Sequence, residues 1–117
     1  MSTSAPNPAP PSSATGPVAW GDPARHAAFE HWLAAIAPRH GLDAATLAPA
    51  SADASFRRYL RVAGAQGSHI VMDAPPPQED TRPFVHVARL LAEAGLNAPR
   101  VLEADAERGF LLLDDLG

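Results

Sequence analysis

Apolar positions recur along this chain in two rhythms that predict different elements. Phe29, Trp32, Leu33 and Ile36 return at helical spacing on one side, which predicts an amphipathic helix docked on a core. Asp22 can cap that helix with Pro23 at its first position, where a missing backbone N–H costs least, and Pro38 with Gly41 is read as its end. Three strands follow, weak over ATLAPAS, stronger over FRRYLRVAG and clearest over SHIVMDAP, where Ile70, Val71 and Met72 are contiguous. Gly64 and Gly67 bracket a tight connection between the second and third.

After the turn-forming APPPQED, the run TRPFVHVARLLAEAGLNAPRV predicts a helix and then a strand. Phe84, Val87, Leu90 and Leu91 form its stripe and Gly95 its stop. RVLEADAERGFLLLDDLG predicts a hairpin turning between Asp105 and Gly109, and the unbroken Phe110 to Leu113 suits a strand buried on both faces. That strand runs into two acids and a Gly, which predicts a turn carrying the chain onward, as in the first lobe of a larger protein. The predicted architecture is an α+β lobe: five mainly antiparallel strands, an N-terminal helix and one inserted helix, not a doubly wound parallel sheet.

Composition refines this picture at the amino end. Residues 1–21 are rich in Pro, Ser and Ala and predict a disordered tail, leaving 22–117 as the folded lobe. A Pro-rich ligand arm for a recognition domain is an alternative reading of that tail. No basic stretch precedes an apolar one in the manner of a secretory signal, and no run approaches the roughly 18 apolar residues that span a bilayer. A net charge of −4 argues against general affinity for nucleic acid or anionic membrane. The cationic side chains are nine Arg with no Lys, and the absence of Cys excludes thiolate chemistry and fits a cytoplasmic location.

Candidate chemistry is sparse. His26, His31 and His40 lie in or beside the first helix, no two at the i, i+4 spacing of a metal pair, and are read as solvated or capping. His86 lies off its helix stripe and is read as exposed. The small, polar connection from Ala50 to Ser55 leads into Arg57 and Arg58. Either it lets a backbone approach a ligand whose phosphates the two guanidiniums grip, or it is an ordinary hairpin turn with a solvated Arg pair. No Walker pattern and no Gly in that turn support the first reading.

The strings SFRRYLRV, IVMDAPP, LLAEAGLNAPRVLEAD and GFLLLDDLG together resemble the N-terminal lobe of the aminoglycoside phosphotransferase family, kinases of small hydroxylated molecules with a protein-kinase-like fold. MDAPP followed by ED, RPFV and LLLDDLG is similar to the bacterial cell-wall sugar kinases that phosphorylate the anomeric hydroxyl of N-acetylmuramate and N-acetylglucosamine. The resemblance covers residues 25–117 and implies ATP and Mg²⁺ as cofactors and a sugar acceptor as partner. It implies that Asp53, Ala54, Ser55, Phe56 and Arg57 form the loop over the ATP phosphates, with Arg58 beside it. Val62 and Met72 would roof the adenine, and Asp114, Asp115 and Leu116 would form the hinge whose backbone reads the adenine edge.

Two features depart from the family pattern. Kinases of this fold place a cation on the third strand and pair it with Glu on the following helix, but here those positions fall at Met72 or Asp73 and near Phe84. Losing both together is self-consistent, because losing one would leave a buried charge uncompensated at about 3 to 5 kcal/mol. Arg57 or Arg58, oriented by Asp73, is the candidate replacement. The second departure is that the family's catalytic base and Mg²⁺ ligands belong to a second lobe with no counterpart in these residues, so no catalytic or metal residue is assigned and the chain alone is expected to be inactive. The alternative is a non-catalytic regulatory half-kinase or interaction module, with a second chain supplying the missing lobe.

Overall fold

The computed structural model describes residues 18–52 and 56–115. Its element order is α1 (Pro23–His40), β1 (Asp43–Ala52), β2 (Arg58–Gly64), β3 (Gly67–Asp73), α2 (Arg82–Glu93), β4 (Val101–Asp105) and β5 (Phe110–Asp114). The five strands form one sheet in the order β1-β2-β3-β5-β4, with every neighbouring pair antiparallel.

α1 begins as its sequence dictates, with the Asp22 carboxylate accepting from the Ala24 N–H at 3.0 Å and Pro23 in the first turn. It ends at Gly41 in the left-handed region (φ 62), while Pro38 is carried inside the last turn and does not stop the helix. β1 is an edge strand, which is why Pro49 is tolerated within it. Where its register with β2 shifts between Asp43 and Ala48, the Thr46 hydroxyl accepts from the Ala63 N–H at 2.8 Å and keeps that donor satisfied.

The sheet separates two cores. On one face the α1 stripe of Phe29, Trp32, Leu33 and Ile36 packs on Leu60, Val62, Val71, Phe110 and Leu112. On the other, Met72, Ala74, Leu111 and Leu113 meet Phe84 and Val85 of α2, with Tyr59, Ile70 and Val101 around them. β5 feeds both, since successive side chains of a strand alternate faces.

Two expectations are corrected. The tail does not extend through residue 21: Val18 and Trp20 pack against the α1 core, with Trp20 stacked on His26 at 5.2 Å and tilted against Phe29 at 4.9 Å. Residues 1–17 lie outside the described residues. Of the stripe expected to seat α2, Phe84 docks, but Val87, Leu90 and Leu91 face outward at 51, 49 and 36% exposure. The docked side is Phe84, Val85 and the buried Ala88, roughly a third of a turn away at 100° per residue. α2 stops where expected, with Leu96 N–H donating to Leu91 O, Gly95 N–H to Ala92 O, and Gly95 at φ 78.

Candidate functional site

A groove of about 490 Å³ opens on the α2 face of the sheet, a size suited to a small organic ligand. Ile70 of β3 and Leu113 of β5 form its apolar ceiling, Tyr59 and Arg61 of β2 one side, Phe84 and Pro99 another. Ala50 and Ser51 lie at one end, and Asp114 with Asp115 at the close of β5. Strand register explains the ceiling: Arg61 lies opposite Ile70 and Ile70 opposite Leu113, so all three share one face.

Val62 does not belong to this groove. It lies opposite His69, on the face covered by α1, so Val62 and Met72 cannot roof the same ligand, and Ile70 holds the ceiling position instead. Met72 is on the groove's side of the sheet but fully buried in the core beneath α2.

Arg57 and Arg58 are separated in the same way. Arg58 is on the α1 face, donating to Asp73 at 2.8 Å and to the Ala19 carbonyl at 2.6 Å, with its guanidinium 4.2 Å above the Trp20 ring. Asp73 also accepts from Arg25 at 2.6 and 2.9 Å. Asp73 therefore orients Arg58 and Arg25 away from the groove and does not orient Arg57. Arg57 instead donates its Nε to Glu79 at 2.9 Å, with its guanidinium 6.0 Å from the ring of Phe84. Burial works against its charge, but hydrogen bonds with Glu79 and Tyr59 outweigh that and hold its pKa above the ordinary arginine value.

At the other end the two acids diverge. The Asp114 carboxylate accepts from the Arg100 N–H at 2.7 Å, whereas Asp115 accepts from Arg61 Nε at 2.9 Å and Ser68 Oγ at 2.6 Å. They do not converge on one substrate atom as an acid and base would. Phe56 is 66% exposed, while Asp53, Ala54, Ser55 and Leu116 lie outside the described residues.

Sequence reasoning did not single out Ile70, Tyr59, Arg61 or Glu79 for this site. A period of two places Ile70 on the same face as Met72, which was the available signal; Glu79 had none until folding brought it to Arg57. His86 is exposed as expected, while His26 pairs with Glu30 at 3.1 Å and His40 with Glu103 at 2.8 Å. Among the described residues no cluster of His, Asp and Glu could hold a metal ion. A second concavity of about 360 Å³ lies between α1 and β1, lined largely by Val18, Trp20, Phe29, Leu33 and Leu47. Its ionisable groups, His26 and Glu30, are paired with each other.

Residues 46–117 match the phosphotransferase enzyme family. An N-acetylmuramate/N-acetylglucosamine kinase of Pseudomonas aeruginosa is 67% identical over 73 residues, covering 62% of this chain and 22% of the relative. The kinase of the same name from Pseudomonas putida is 58% identical over 74 residues, 63% of this chain and 22% of the relative. That from Neisseria meningitidis is 40% identical over 94 residues, 80% of this chain and 27% of the relative. The chain thus spans about a quarter of the length of these curated relatives. With the antiparallel five-stranded sheet and inserted helix of the N-terminal lobe of a protein-kinase-like fold, the chain belongs to the phosphotransferase enzyme family.

Proposed function

We propose that this chain is the nucleotide-binding lobe of an ATP-dependent amino-sugar kinase. The observation that carries the reading is the groove beneath Ile70 and Leu113, apolar along its ceiling, with the close of β5 at Asp114 and the adjoining Asp115 at one end and Arg57 beyond Phe84 at the other. An adenine needs flat apolar cover and a backbone edge, and a triphosphate needs a cation beyond it. The groove meets those needs in that order along its length. Asp114 and Asp115 act through their backbone, because their carboxylates already hold Arg100, Arg61 and Ser68.

The acceptor in this reading is the amino sugar named for the relatives, and the phosphorylated atom is a sugar hydroxyl. The lobe's own residues bind and orient ATP. In this reading the base that takes the hydroxyl proton and the ligands of Mg²⁺ belong to the second lobe of the kinase. The cytoplasm is the compartment that supplies the nucleotide, and among the described residues no helix is long and apolar enough to cross a membrane.

The alternative is a non-catalytic half-kinase acting through a partner chain. The apolar side of α2, with Val87, Leu90 and Leu91 exposed, favours a covering partner in either reading.

Calorimetry with ATP·Mg²⁺ and with adenosine tests nucleotide binding by the chain itself. Grafting the lobe onto the remainder of the Pseudomonas aeruginosa kinase then tests transfer to N-acetylmuramate. Binding with a transferring graft supports the kinase lobe, binding with an inert graft favours the half-kinase, and a folded chain that binds neither ligand ends the nucleotide reading.

A further inference from the structure

We propose that Glu79 is a positioning residue that holds Arg57 for the phosphates of the bound nucleotide. In this lobe the cation and acid are then supplied by the segments flanking β2 and α2, not by β3 and α2 themselves. The inference rests on the nucleotide-lobe reading above.

Arg57 immediately precedes β2, and Glu79 lies three residues before α2. Neither is where the fold's usual cation and acid stand, yet they meet at 2.9 Å with side chains only 24 and 12% exposed. Their location is specific to the groove. The Arg57 guanidinium lies near Phe84, which forms a groove wall, and Arg57 stands two residues before Tyr59, which forms another. The other guanidiniums of this region are committed elsewhere: Arg25 and Arg58 hold Asp73 on the opposite face, and Arg61 holds Asp115 at the hinge end.

The geometry also suits an anion. A guanidinium presents five N–H donors in a fixed planar fork, so a carboxylate on its Nε edge fixes the plane without excluding an oxyanion from another edge. A long Arg stem otherwise loses rotamer freedom when it grips phosphate. Glu79 and the neighbouring Phe84 ring have already imposed that order before nucleotide arrives, which is preorganisation. Substituting Glu79 should therefore weaken ATP through Arg57 alone and leave adenosine untouched.

The test is calorimetric titration of this chain with ATP·Mg²⁺ and, separately, adenosine, using Arg57→Ala, Glu79→Ala, Glu79→Gln and the Arg57→Ala/Glu79→Ala double variant. Circular dichroism checks each fold. Arg57→Ala is expected to weaken ATP roughly tenfold to hundredfold, the range for a charge-assisted hydrogen bond. Glu79→Ala should weaken it about tenfold, Glu79→Gln less because an acceptor for Nε remains, and the double variant no more than Arg57→Ala. Adenosine affinity stays constant throughout. Unchanged ATP affinity in Glu79→Gln and Glu79→Ala overturns the proposal, and so does a further loss when Glu79→Ala is added to Arg57→Ala. If Glu79→Ala unfolds, Glu79→Gln alone decides. A wild-type chain that binds neither ligand removes the nucleotide reading itself, whereas binding with unaffected variants removes only the role of Glu79.

Discussion

Arg58 and Asp73, paired at 2.8 Å across β2 and β3, lie on the face of the sheet that the groove does not use. Asp73 is buried and shared between Arg58 and Arg25, whose guanidiniums lie over Trp20 and Phe110 respectively. It fastens the residues before α1, the start of α1 and the central hairpin at one point. Asp73→Asn should cost about 3 kcal/mol, the low end for breaking a buried pair, because both Arg retain some solvent contact. Urea unfolding measures that loss, and nucleotide affinity of the folded variant should not change.

Phe110 sits edge-on to Phe29 at 5.5 Å and stacked with Trp32 at 5.2 Å, with no solvent exposure. Phe110→Ala would empty the centre of the α1 core and should cost about 3 to 5 kcal/mol. For a domain of this size that lowers the melting temperature by roughly 4 to 8 °C per kcal/mol, readable by calorimetry.

Gly109 closes the β4–β5 turn at φ 78, and its carbonyl accepts from the Ala74 N–H at 2.8 Å. A Cβ there would collide with the Ala74 carbonyl, a backbone atom that cannot swing aside. Gly109→Ala should therefore destabilise by more than the roughly 1 to 3 kcal/mol of left-handed strain alone. Gly67→Ala meets open space at φ 121 and serves as the strain-only comparison in the same denaturation experiment.

Glu103 joins β4 to the end of α1 through Arg39 at 3.0 Å and His40 at 2.8 Å. Burial raises its pKa, but the hydrogen bonds from His40 and Arg39 outweigh burial and hold it below the ordinary glutamate value of 4.5. A depressed folded-state pKa contributes stability that is fully present above about pH 4.5 and lost as pH falls through the folded value. Melting curves of the wild type and Glu103→Gln should differ at neutral pH and converge below that range.

The order of elements was legible because each apolar rhythm matched one neighbour. The α1 stripe had a single sheet face to meet, and Phe110 to Leu113 had two. α2 misled because periodicity marks an apolar side without saying what faces it. The sheet took Phe84, Val85 and Ala88, and left Val87 and Leu90 outward. Adjacent Arg57 and Arg58 looked like one basic feature, yet strand alternation sends them to opposite faces. Trp20 was hidden by its Pro-rich surroundings, since its partners Arg58 and Phe29 lie well beyond that stretch.

β5 supplies side chains to both cores and then leads straight into the acids at the end of the groove. A nucleotide gripped there would be fastened to the strand whose release requires the whole lobe to open. Its binding energy would reach the global unfolding equilibrium undiminished, growing with the logarithm of nucleotide concentration once sites are filled. A thermal-shift titration would then report occupancy, and amide hydrogens that exchange only through global opening, in α1 as in β5, would slow by the same factor.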